Sequence, residues 1–166
     1  MLTRCRDCNF NAVRVWGGGY YPDDWFFDIC DELDLVVFMD LMFACAMIPG
    51  DDEFVENISI EVEQNLKRIR HHACMAVISG NNEVEEGLVN STKEKQREDY
   101  IRIFEGVLAD IAKKVCPEIP YISSSPSSCG HFIEPGNENY GDWNTFVCFT
   151  TSAGGGNKKW SGTSET

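Results

Sequence analysis

"MAVISGNNEVEE", Met75 to Glu86, decides how this chain folds. An apolar run of strand length ends in Ser79 and Gly80, and two asparagines and three glutamates follow within six positions. The apolar part does not alternate with polar residues, which is how a strand covered on both faces reads. Three further runs share this character: "NAVRVW" (Asn11 to Trp16), "LVVFMD" (Leu35 to Asp40) and "PYISSS" (Pro120 to Ser125).

Between the runs lie helical patterns. "DDWFFDICDEL" carries Trp25, Phe26, Ile29 and Leu33 at three- and four-residue spacing. "DDEFVENISIEVEQNLKRIRHH" begins acidic and ends basic, which matches the helix dipole, and Phe54, Ile58, Val62, Leu66 and Ile69 form its apolar stripe. "REDYIRIFEGVLADIAKKV" repeats the pattern with Tyr100, Ile103, Phe104, Val107, Leu108 and Ile111. Strands alternating with crossovers of helical length predict an α/β fold with a parallel sheet. A doubly wound sheet and a (β/α)8 barrel both fit that pattern. The first strand is expected almost directly at the start of the chain. From about residue 149 the glycine- and serine-rich end reads as an irregular tail.

Composition narrows the function. The 166 residues are 43% hydrophobic and carry a formal net charge of -13. That hydrophobic share suffices for a packed core, and the acidity argues against nucleic acid and anionic membranes as partners. No apolar stretch approaches the roughly 20 residues of a membrane span. Eight cysteines are scattered, and only Cys5 and Cys8 have the spacing of a metal or redox pair. No second pair follows at zinc distance, so buried free thiols are expected and no metal or other cofactor is assigned. His71 and His72 close a helix, where a cation favours the dipole.

Function in parallel α/β folds collects at the carboxyl ends of the strands. Those ends hold Trp16 with the triplet Gly17-Gly18-Gly19, Asp40, Ser79 to Glu83, and Ser123 to Ser125. Aromatic faces and fixed polar groups suit a polyol such as a sugar. The glycine triplet lacks the spacing and lysine of a phosphate cradle and reads as a turn or a close backbone approach. Asp40 also fits a helix cap. Glu85 and Glu86 read as solvated carboxylates of a first helical turn.

"NFNAVRVWGGGYYPDDWFFDICDELDLVVFMDLMFACAMIP", then "VISGNNEVEE" and "PYISSSPSS", resembles β-mannosidase of glycoside hydrolase family 2. The resemblance runs from about Cys8 to Ser128. It implies a partial (β/α)8 TIM barrel over residues 1–148, about strands 2–5 of the full barrel. It implies retaining hydrolysis of terminal β-linked mannose in an oligosaccharide or a glycoprotein-derived glycan, with no cofactor. Glu83 matches the general acid/base, and Asn82 matches the asparagine that contacts the sugar near its 2-hydroxyl. Trp16 and Asp40 match residues lining the sugar site. Ile78 departs from the tryptophan usual before this motif. The family's nucleophilic glutamate closes a seventh barrel strand, which this chain is expected not to reach. Glu165, in "GTSET", faintly echoes it, without a buried strand in front. Little activity is therefore expected of the chain alone. Animal members of the family work in the lysosome. Two other readings stay open: another exo-glycosidase of the family (β-glucuronidase, β-galactosidase or exo-glucosaminidase), or a non-catalytic sugar-binding or gene-model fragment.

Overall fold

A computed structural model describes residues 1–137. The predicted tail, Cys148 and Glu165 lie outside the described residues. Four strands, β1 (Ala12–Val15), β2 (Val36–Asp40), β3 (Met75–Ser79) and β4 (Tyr121–Ile122), form one sheet in the order β1-β2-β3-β4, all parallel. Each falls inside a run read as a strand. β4 is shorter than expected, but an isolated bridge between Asn82 and Ser125 continues the pairing beyond it.

The helices are α1 (Leu2–Asp7), α2 (Asp24–Glu32), α3 (Asp52–Ile69), α4 (Val84–Leu88), α5 (Glu94–Tyr100) and α6 (Leu108–Val115). A π-helical segment (Ile101–Val107) joins α5 to α6. Neither α1 nor the π segment was foreseen: the chain enters β1 through a helix. Asp51 caps α3 by accepting from the Phe54 backbone N–H at 3.0 Å. Lys67 and Arg68 sit in its last turn, where they complement the dipole.

The strand order has a consequence. Each crossover moves one place in the same direction, and parallel crossovers are right-handed, so the crossover helices stack on one face of the sheet. The contacts agree: α2 packs on α3, and α3 on α6. Under them lie Val37, Met39 and Ile78 of the strands with Phe27, Val62, Leu66, Ile103, Phe104 and Leu108, all buried. Each such side chain contributes about 1.5–3 kcal/mol relative to exposure. The stripe of α3 is as predicted except that Val55 is buried where Phe54 is only partly so.

The strands are not covered equally on both faces, as their apolar runs suggested. Val36 is exposed, Phe38 and Val77 are half-buried, and β1 has no fully buried residue. β1 has a single neighbour in the described sheet, so it lacks one flank of cover.

At the amino ends of the strands, His72 is buried. Its Nδ1 lies 2.7 Å from Asp31 Oδ2, and Asp31 Oδ1 accepts the Cys74 N–H at 2.7 Å. Burial pushes the Asp31 carboxyl up, but these hydrogen bonds outweigh it and hold the group below its ordinary range. The cluster ties α2 to the start of β3.

Candidate active site

Asn81 and Asn82 carry the sheet past the end of β3. The Leu41 N–H donates to Ser79 O, Asn82 N–H to Phe43 O, and Cys45 N–H to Asn82 O. On the other side Gly80 N–H donates to Ile122 O, and Glu83 N–H to Ser125 O. Both flanks of this segment are therefore pinned by backbone ladders. The Asn81 side chain adds a cap: its amide donates to Ser123 O at 2.8 Å, and its Oδ1 accepts from Val84 N–H at 3.0 Å and Ser124 Oγ at 2.7 Å. With its polar atoms thus satisfied, Asn81 is fully buried.

Glu83 sits at the start of α4 with φ 60° and ψ 14°, in the left-handed region. A side chain with a long stem rarely takes that backbone, and such residues cost on the order of 1–3 kcal/mol unless their surroundings impose it. Here the imposing contacts are the Glu83–Ser125 bond and the Asn81 cap. Glu83 Oε2 accepts from Cys45 Sγ at 3.5 Å, while Oε1 is buried with no partner among the described residues. Cys45 itself adopts φ 51°, and its Sγ accepts from Asn82 Nδ2 at 3.4 Å. Burial pushes the Cys45 thiol up, Asn82 opposes this, and Glu83 adds to it.

Asp40 closes β2, fully buried, and is not a helix cap: the next helix starts at Asp52 under Asp51. Arg14 reaches it from β1 with Nε at 3.2 Å and Nη2 at 3.0 Å from Oδ2. The Gly17 N–H donates to the same oxygen at 3.1 Å. Burial pushes the Asp40 carboxyl up, against the pull of Arg14 and of the Gly17 amide. Arg14 Nη2 also donates to Asn82 Oδ1 at 3.1 Å, and the guanidinium lies over the Phe38 ring at 4.9 Å. One arginine thus couples Asp40 to Asn82 across three strands.

The glycine triplet works by close approach, not by positive φ. A Cβ on Gly17 would stand 2.5 Å from Phe43 O and 2.6 Å from Leu41 O. A Cβ on Gly18 would strike the Trp16 indole. Trp16 is 54% exposed, leaving ring surface open to solvent at the end of β1.

Of the four predicted site residues, Asp40 and Asn82 are joined through Arg14, and Asn82 and Glu83 through Cys45. Among the described residues, Trp16 meets the set through its neighbour Gly17. Arg14, Asn81 and Cys45 were missed as site residues. Arg14 carried a usable signal: a lone cation in an apolar strand needs an acid nearby, and Asp40 ends the next run.

Glu85 corrects the sequence reading outright. It is fully buried, not a solvated first-turn carboxylate. Five donors surround it: the Tyr100 hydroxyl, Ser127 Oγ, the Ser128 N–H, Ser128 Oγ and the Phe132 N–H. Glu86 is exposed as expected, and partial desolvation together with the Glu83 charge pushes its carboxyl up.

No protein-family model matches the chain. A probable β-mannosidase of Caenorhabditis elegans is 39% identical over 89% of this chain and 18% of its own length. The β-mannosidase of Bos taurus is 34% identical over 86% of the chain and again 18% of its own length. The crystal structure of a β-D-mannosidase from Dictyoglomus thermophilum superposes with a TM-score of 0.78 and 35% identity, over 87% of this chain and 18% of that one. A β-glucuronidase of Bacteroides uniformis, at 21% identity and TM-score 0.58, shares the fold, over 72% of this chain and 15% of that one. The chain spans less than a fifth of the length of the curated relatives it matches. Over most of its own length the chain is similar to β-mannosidases.

Proposed function

We propose that this chain carries the acid/base half of a β-mannosidase-like site, on a four-strand arc of a (β/α)8 barrel. Support for the barrel comes from the unidirectional strand order with helices stacked on one face. A doubly wound sheet reverses its order and covers both faces. The arc corresponds to about strands 2–5. The observation that carries the function is the backbone at Asn82 and Glu83: pinned between both neighbouring strands, at their carboxyl ends, in a chain similar to β-mannosidases.

In the retaining reaction a nucleophilic carboxylate attacks the anomeric carbon while an acid protonates the departing glycosidic oxygen. The acid's conjugate base then takes a proton from the water that attacks the glycosyl–enzyme ester. Glu83 performs both proton transfers in this reading. Its left-handed backbone and its ladder bonds fix where the carboxyl is delivered. Asn82, held through Oδ1 by Arg14, faces the sugar beside it, Asp40 anchors that arginine, and Trp16 offers its ring to the C–H face of the sugar. The nucleophile is supplied from outside the described residues, where Glu165 also lies.

Binding tests the substrate class without requiring turnover. The whole chain should bind methyl β-mannoside more tightly than the methyl β-glucuronide, β-galactoside or β-glucosaminide in a ligand-observed NMR competition. Preference for the glucuronide would replace the mannoside assignment with that of a different exo-glycosidase.

A further inference from the structure

We infer that Glu85 is a positioning residue that sets the backbone of Glu83 by clamping the loop after β4 onto α4. Its role in catalysis rests on the reading of Glu83 above, while the clamp itself rests on geometry alone. Glu85 Oε2 accepts from the Tyr100 hydroxyl at 3.2 Å, Ser127 Oγ at 2.8 Å and the Ser128 N–H at 3.0 Å. Oε1 accepts from Ser128 Oγ at 2.5 Å and from the Phe132 N–H at 3.3 Å. Both oxygens are saturated, which lets a carboxyl group occupy a site with no solvent exposure.

Four of the five donors belong to one loop, Ser127 to Phe132. That loop starts two residues after Ser125, whose carbonyl accepts the Glu83 N–H at 3.1 Å and whose N–H donates to Asn81 O at 3.0 Å. The fifth donor, Tyr100, packs on Phe104 and Phe132 with ring centroids 5.1 and 5.3 Å apart, so the clamp is seated in the core. Glu83 and Glu85 are two residues apart in α4 and its cap, yet one lies at the strand ends and the other inside. Fixing Glu85 from behind therefore fixes the turn that presents Glu83. Without it, Ser125 loses the loop that holds it, and the left-handed conformation at Glu83 loses one of its two restraints.

The test compares the 15N-labelled full chain with Glu85→Gln, and with Val62→Ala as a core variant that lowers stability without touching the loop. In Glu85→Gln the backbone amide signals of Glu83 and Ser125 should move well beyond their shifts in Val62→Ala, at temperatures where both stay folded. Glu85→Asp, which keeps the carboxyl, should return those signals part of the way to wild type. The wild-type affinity for methyl β-mannoside should fall in Glu85→Gln and hold in Val62→Ala. Signals of Glu83 and Ser125 that coincide with wild type, or move no more than in Val62→Ala, would overturn the inference. If Glu85→Gln does not fold, Ser127→Ala removes one donor and must give the same pattern of shifts in smaller size; its absence counts against the clamp. If the wild type binds no mannoside, the functional reading fails, and the amide comparison still decides the clamp.

Discussion

Glu83→Gln is expected to lower hydrolysis of an aryl β-mannoside by about a hundredfold to ten-thousandfold, the usual worth of a positioned acid/base. The substitution keeps the size of the side chain and its reach toward Cys45, but glutamine cannot donate a proton to the leaving oxygen. The loss should depend on the leaving group. A dinitrophenyl mannoside leaves without protonation, so its glycosylation step should suffer least, and an alkyl mannoside most. The limb of the pH profile that reports the protonated acid should disappear. The measurement needs a preparation in which this sequence turns over a mannoside, with the second carboxylate in place. Equal losses for good and poor leaving groups would show that Glu83 binds or shapes the site without transferring a proton.

Arg14→Met carries the largest expected effect on stability. Methionine spans a similar length but leaves the fully buried Asp40 carboxyl with the Gly17 N–H and without its cation. Removing one partner of a buried pair costs about 3–5 kcal/mol, much more than an exposed ion pair contributes. Arg14 is itself partly exposed, with 29% of its side chain accessible, which favours the lower end. For a chain of this size about 3 kcal/mol corresponds to a drop in melting temperature of roughly 10 °C. Asn82 loses its donor in the same variant, so sugar affinity should fall with stability. The double variant Arg14→Met, Asp40→Leu should regain much of the stability, because no charge is left buried, but not the affinity. A melting temperature within a degree or two of wild type in Arg14→Met would show that solvent reaches Asp40 freely.

The elements that were legible in the sequence are those set by local pattern. Apolar runs placed all four strands, and the three-four spacing placed α2, α3 and the long segment from α5 to α6. The position of "SGNNE" just past a strand was enough to set Glu83 apart from a plain surface carboxylate. What the sequence did not show depends on partners far along the chain. Glu85 looks like one more first-turn acid until Ser127 and Ser128, more than 40 residues later, fold over it. Arg14 finds Asp40 only once the register of β1 on β2 is known, because Arg14 stands opposite Phe38 and reaches two residues onward. The role of Gly17 follows from the approach of two carbonyls on the segment after β2, which no local rule encodes. The apolar runs overstated burial for a related reason: a run reports that a strand prefers cover, not how many neighbours it has in the described sheet.

We propose that the carboxyl ends of β1 to β3 hold one sugar site built on Asn82 and Glu83. Residue-resolved NMR of the 15N-labelled chain, titrated with methyl β-mannoside, tests it most directly. Saturable shifts are expected at the Asn82 and Glu83 amides, the Asn82 side-chain amide, the Trp16 indole N–H and Gly17, with the Asp31–His72–Cys74 cluster at the other end of the sheet unmoved. Saturable shifts confined to any other face, or none at Asn82 and Glu83 at millimolar sugar, would contradict it.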